Sequence, residues 1–384
     1  MKLRVLPIFL AFLVMGFADA VGPFVGLAKN QFALSNSLAF LIPLVGFIMF
    51  GLLSVPMGVL QAHKGKKFIL LLGLIVAFVG LIIPIFGLTS FPRFLVTILL
   101  LGGGATILQV AGNPIMRDVS EEGKYSRNLS LGQFVKAIGS LSGPVIPVLA
   151  ARFFGLDWSV IFPIYSVAII VTLAAVGLLK VKEKEGSAEN LATFRSCLGL
   201  LKNRYVFMMV SAIFLYVGAE VCMSSGIPLY LEEAFGINIE KIGILGTGLF
   251  FLMLTMGRLL GGVILTWMSP KRFFLLTTLI SFLAIVGLFF GVKIVALVSV
   301  ILVGLGFANI FPLIFSITVD GMPEKTNELS GLMVTAIVGG AILPPLMGLI
   351  ADRISVEVGF IVPLLAFLFI GYVAVRHQRP AAGR

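Results

Sequence analysis

Apolar runs of about 20 residues, the length that crosses a bilayer core as a helix, recur along this chain between short polar turns. Twelve can be marked: residues 5–28, 36–61, 68–88, 94–116, 128–152 and 157–179, then 205–231, 240–268, 272–290, 294–319, 329–351 and 356–375. The longest polar connection, 180–204 (KVKEKEGSAENLATFRSCLGLLKNR), reads as a linker holding a short amphipathic helix from about Leu191 to Leu201. The pattern predicts an all-α polytopic membrane protein of twelve transmembrane helices. Its expected parts are an N-terminal six-helix bundle (1–179), a cytoplasmic linker (180–204) and a C-terminal six-helix bundle (205–384).

Composition agrees: 59% hydrophobic and 12% charged residues describe a chain that buries its surface in lipid. The net charge of +11 would point to nucleic acid in a soluble protein, but here the basic residues follow the loops. Twenty Lys and Arg fall on the even-numbered connections and the termini, against six on the opposite side. By the positive-inside rule this predicts cytoplasmic termini and a place in the cytoplasmic (inner) membrane, with lipid and not nucleic acid as the surrounding partner. Lys2, Arg4 and the Ala18-Asp19-Ala20 triplet imitate a cleaved secretory signal, yet the apolar run continues to Leu27 and further spans follow, so Asp19 is expected to be retained. Cys197 and Cys222 sit on different elements and suggest neither a disulfide framework nor a metal site. No histidine, cysteine pair or carboxylate cluster is placed for chemistry within the membrane, so the chain is not read as an enzyme, and no cofactor is expected.

Polar residues inside apolar runs carry the functional signal, because an ionisable group in hydrocarbon is expensive and usually faces a partner or a polar cavity. In the stretch Gly104–Pro147, Gln109 and Asn113 share one helix face, and Gln133 and Lys136 share another. Gln109 and Lys136 lie roughly 12 to 14 Å deep at 1.5 Å per residue. Asp19 is near the middle of the first span. Glu220 in the seventh and Arg258 in the eighth lie at comparable depths and can either pair or act separately, and Asn309 sits in the tenth. Helix breakers accompany these residues. Asn113-Pro114 is expected to break the helix ladder near the cytoplasmic end of the fourth span, Gly143-Pro144 to make the end of the fifth flexible, and Gly339–Pro345 to act as a hinge or a close-packing surface. Asp19 against Glu220, Lys66-Lys67 against Lys271-Arg272, Asn113-Pro114 against Asn309 with Pro312, and Gly143-Pro144 against Leu343-Pro344-Pro345 repeat at a spacing near 200. Such a repeat describes a parallel-repeat transporter.

Several segments resemble the major facilitator superfamily and, within it, the fucose-galactose-glucose/proton symporter family. They are Leu108–Pro114 (LQVAGNP), Arg127–Gln133 (RNLSLGQ), Phe214–Glu220 (FLYVGAE), Gly257-Arg258 with Ser269-Pro270-Lys271, and Ala336–Ala341 (AIVGGA). The resemblance covers nearly the whole chain. It implies a twelve-helix fold, alternating access and hexose uptake driven by a proton gradient, and it implies that Asp19 takes and releases the coupling proton. Gln133 matches a sugar-contacting glutamine of that family. Three positions depart from the pattern: Gln109 stands where a well-studied member has a second acidic residue, Lys136 replaces an expected asparagine, and Ala62 replaces the aspartate of the cytoplasmic motif between spans two and three. The last departure predicts a weakened charge latch.

The expected function is therefore secondary active transport, with proton-coupled uptake of a sugar or sugar-like solute as the leading form. Asp19 and Glu220 are the proton-coupling candidates, and Gln109, Asn113, Gln133, Lys136, Arg258 and Asn309 the substrate-binding candidates, amides and acids being suited to hydroxyl groups. Lys136 either pairs with Asp19 or, with Arg258, makes a cavity for an anionic sugar acid. Drug or metabolite export is the alternative. The proton is the simpler coupling ion and sodium stays open. The chain is expected to work as a monomer.

Overall fold

The structure, a computed structural model, describes residues 5–19, 24, 28, 31–34, 41–87, 90–179, 193–237 and 247–376. No strand occurs among them. The helices are α1 (Leu6–Asp19), α2 (Leu41–Lys64), α3 (Lys66–Ile85), α4 (Phe91–Val119), α5 (Tyr125–Phe154), α6 (Ile161–Leu178), α7 (Phe194–Gly199) and α8 (Arg204–Phe235). They continue as α9 (Thr247–Ile264), α10 (Pro270–Gly287), α11 (Lys293–Phe307), α12 (Ile310–Gly321), α13 (Thr326–Thr335), α14 (Gly339–Arg353), α15 (Val356–Gly359) and α16 (Ile361–Arg376). A helix closes every backbone hydrogen bond within one segment, which is why apolar runs of this length fold this way in lipid.

Among the described residues nine helices are long and apolar enough to cross a membrane. A further one, α5, bends by 40° between Tyr125–Gly143 and Val145–Phe154, where a flexible point was expected. Two shorter apolar helices, Leu6–Ala18 and Leu249–Ile264, fall in the first and eighth expected runs, whose remaining residues lie partly outside the described ones. Each of the twelve expected runs thus holds an apolar helix. Their exposed side chains are apolar, among them Leu52, Val167, Leu178, Leu283 and Ile294, as lipid contact requires. The linker helix is the short α7, begun by a capping box in which Thr193 and Ser196 exchange hydrogen bonds; residues 180–192 lie outside the described ones.

Packing sorts the chain into two compact units. The first comprises Met1–Tyr125, Val135–Leu200 and Met322–Thr335. Its centre is α4, in which every residue from Leu101 to Met116 is buried. Gly102, Gly103 and Gly104 keep this helix narrow enough to be surrounded. Where the sequence predicts a weakened latch, Lys66 and Asp118 form a buried ion pair at 2.5 Å and Gln61 donates to Asn327 at 2.9 Å. The second unit comprises Ser126–Phe134, Leu201–Gly321 and Ala336–Arg384, with α8 packed against α14 and α16.

The helix breakers act in different ways. In span four the ladder loses one bond, and α4 runs on through Pro114. Pro114 withdraws only the donor that would serve Val110, and the Ser330 hydroxyl supplies it instead at 2.5 Å. Span eleven passes through a three-ten turn over Ala336–Val338, and α14 then continues through Pro344 and Pro345; of the two expected roles, the close-packing surface is the one seen, at Gly339. Span ten is interrupted at Ala308-Asn309, between α11 and α12.

Candidate functional site

In the first unit, α4 and α5 bring Gln109 and Lys136 together: Lys136 Nζ donates to Gln109 Oε1 at 3.2 Å. The equal depth predicted for these two residues is met by direct contact. Asn113, one turn further along α4, is fully buried, and neither atom of its amide has a hydrogen-bond partner. Its backbone carbonyl accepts from the Tyr125 hydroxyl at 3.0 Å. A buried amide without partners costs several kcal/mol in an apolar medium, about 2–7 by transfer measurements. Asn113 is accordingly a residue whose environment asks for a ligand or a water.

Asp19 closes α1, and its side chain lies outside the described residues. The backbone just before it is placed by a close crossing with α5. A Cβ added to Gly16 would collide with the Lys136 carbonyl, and one added to Gly139 with the Leu13 carbonyl. Only glycine allows two helix backbones to approach in this way.

The second unit repeats the crossing about 200 residues on. Gly218 of α8 meets Gly339 and Leu343 of α14, and a Cβ on Gly339 would strike the Phe214 carbonyl. Glu220 follows Gly218 as Asp19 follows Gly16, so the acidic residue of each repeat stands within a turn of a glycine crossing. The cation differs in origin. Position 336, equivalent to Lys136, is alanine, and the charge comes instead from Arg258 of α9, whose Nη2 donates to Glu220 Oε1 at 3.3 Å. Their side chains are 12% and 19% exposed.

Two of the expected amides remain. Asn309, 1% exposed, donates its Nδ2 to the Gly257 carbonyl at 2.6 Å, while its Oδ1 has no partner. Gln133 is buried in the second unit, and its Nε2 has no hydrogen-bond partner. Among the described residues no group of His, Cys, Asp or Glu could hold a metal ion.

Sequence reasoning missed Tyr216, which donates to the Phe307 carbonyl at 3.0 Å, and Ser330. The signal available for Ser330 was Pro114, since a proline inside a span frees the carbonyl four residues before it and some neighbour must answer.

The sequence model of the Major Facilitator Superfamily matches residues 8–339, most of the chain. The chain belongs to the Major Facilitator Superfamily. Members of the family and the neighbours in structure are transporters, not enzymes. A glucose/galactose transporter of Brucella abortus biovar 1 (strain 9-941) is 28% identical over 358 residues, covering 90% of this chain and 86% of that protein. The L-fucose-proton symporter of Escherichia coli (strain K12) is 24% identical over 377 residues, covering 89% and 85%. Among solved structures, the major facilitator transporter FucP in its outward conformation superposes with a TM-score of 0.85 at 21% identity, over 99% of this chain and 100% of that one. The proton:xylose symporter XylE superposes with a TM-score of 0.81 at 15% identity, over 98% and 95%. At these identities the two structures speak for the fold, which is the twelve-helix arrangement the apolar pattern predicts.

Proposed function

We propose that this chain carries a sugar or sugar-like solute across the cytoplasmic membrane, coupled to protons, by alternating access of two six-span halves joined at 180–204. The observation that carries the reading is the near full-length similarity to relatives named as glucose/galactose transporters and fucose-proton symporters. Its chemical support is the buried, unsatisfied amide of Asn113, together with the free Nε2 of Gln133 and Oδ1 of Asn309. Amides of this kind match hydroxyl groups, each of which is both donor and acceptor.

In this proposal Gln109, Asn113, Gln133 and Asn309 contact the solute, and Asp19 binds and releases the coupling proton. Lys136 is held at the level of Gln109. Glu220, already paired with Arg258, takes a second, indirect part. The chain works as a monomer with both termini on the cytoplasmic side.

The test is counterflow exchange in proteoliposomes with labelled neutral hexoses and labelled sugar acids, for wild type and Lys136→Asn. Exchange of neutral hexoses that survives the substitution supports the proposal. Exchange confined to sugar acids and lost in Lys136→Asn makes Lys136 an anchor for an anionic substrate, and exchange of neither class overturns the sugar reading in favour of export.

A further inference from the structure

Span ten is interrupted at Ala308-Asn309, and each residue around the interruption is held by a different group from spans seven and eight. The Tyr216 hydroxyl donates to the Phe307 carbonyl at 3.0 Å, Arg258 Nε to the Ala308 carbonyl at 3.4 Å, and Asn309 itself donates to the Gly257 carbonyl at 2.6 Å. The middle contact is the informative one. Pro312 has no N–H, so the Ala308 carbonyl has no helical donor four residues on. Arg258 takes that place, and the same guanidinium reaches Glu220 with Nη2 at 3.3 Å. One side chain therefore joins a carboxylate in span seven to the turn in the backbone of span ten.

We propose that Arg258 is a positioning residue that transmits the protonation state of Glu220 to the interruption in span ten. The step is a proton added to one carboxylate oxygen of Glu220. The carboxylate becomes a neutral acid, while the guanidinium keeps its charge. The ionic hold on Arg258 is lost, its Nε is no longer fixed against the Ala308 carbonyl, and the amides after the interruption open more often. Arg258 then works through the backbone it supports, and its role does not require contact with the solute.

Tyr216, one turn before Glu220 on α8, is the other titratable group beside this pair. On the remaining helices packed against α8 the charged residues stand at or near helix ends: Lys293 on α11, Asp320 on α12, Asp352 and Arg353 on α14, Glu357 on α15 and Arg376 on α16. Tyr372 lies one turn before Arg376.

The inference rests on the transport reading, and its test is chosen to stand apart from it. Hydrogen exchange of peptides spanning residues 305–313 is followed by mass spectrometry in nanodiscs from pH 5 to pH 9, without solute. It is compared with wild type, Glu220→Gln and Arg258→Lys, after correction for intrinsic exchange using α10 peptides. Wild-type exchange at 305–313 is expected to rise several-fold as pH falls. Glu220→Gln is expected to show the raised level at every pH, and Arg258→Lys, which keeps the charge but loses Nε, a raised level as well. A wild-type profile without pH dependence, or Glu220→Gln indistinguishable from wild type, overturns the proposal. Should either variant fail to give monodisperse protein, the wild-type profile decides alone. Counterflow on the same wild-type preparation tells separately whether the transport reading holds.

Discussion

The Ser330 hydroxyl lies 2.5 Å from the carbonyl oxygen of Val110, the oxygen that Pro114 leaves without a helical donor. Arg258 does the same for Ala308, which Pro312 leaves without one. In both repeats a proline inside a polar span is thus answered by a side chain from another span. The local outcomes differ: α4 keeps its helical pattern with a hydroxyl as the substitute donor, and span ten makes a turn at Ala308-Asn309, where the substitute is a guanidinium already engaged with a carboxylate.

Removing the hydroxyl should matter only while the proline is present. Ser330→Ala is expected to destabilise the detergent-solubilised protein by about 1–3 kcal/mol, the cost of a buried acceptor left unmade. Averages for membrane helices lie nearer 0.6 kcal/mol, so the lower end is favoured. In a Pro114→Ala background, where residue 114 regains its N–H, the same change should cost little. Thermal unfolding of the four proteins of this double-mutant cycle measures the coupling. An equal cost in both backgrounds would mean that Ser330 does not serve the freed carbonyl.

The two glycine crossings should be intolerant of a single methyl group. Gly16→Ala and Gly218→Ala each drive a Cβ into a neighbouring helix and are expected to lower stability by about 1–3 kcal/mol through overpacking. Both displace the segment that carries an acidic residue, so counterflow should fall as well. Gly199→Ala, whose added Cβ would meet nothing within 4 Å, serves as the neutral control. Unfolding temperatures and initial exchange rates check both statements, and wild-type behaviour of Gly16→Ala would show that α1 and α5 are not in contact at this point.

The linker helix offers a chemical probe of its docking. Cys197 on α7 is fully buried where α7 packs against α2 and α13, and burial, aided by the Glu328 charge, pushes its thiol up to about 11. Since only the thiolate reacts, maleimide labelling of a Cys222→Ser variant at neutral pH should be at least about 100-fold slower natively than in denaturant, where the thiol titrates near 8.5. The native rate should keep climbing with pH to about 10, while the denatured rate levels off above about 9. Equal rates at neutral pH would show that α7 is not docked.

The chain's membrane class, its run of apolar helices and the depth of its polar residues were legible in the order of residues, because lipid demands about 20 apolar residues per crossing and penalises every exception. Gln109 and Lys136 could be placed at one level by counting turns, and Glu220 and Arg258 could be named as possible partners. Partner choice was not legible. That Lys136 reaches Gln109, that Asn113 is left unsatisfied while Asn309 binds Gly257, and that Pro114 leaves α4 helical while span ten makes a turn ahead of Pro312 all depend on residues distant in sequence. A local pattern states which backbone and side-chain groups need a partner. Only the packed helices decide which group, from which span, arrives within hydrogen-bonding distance.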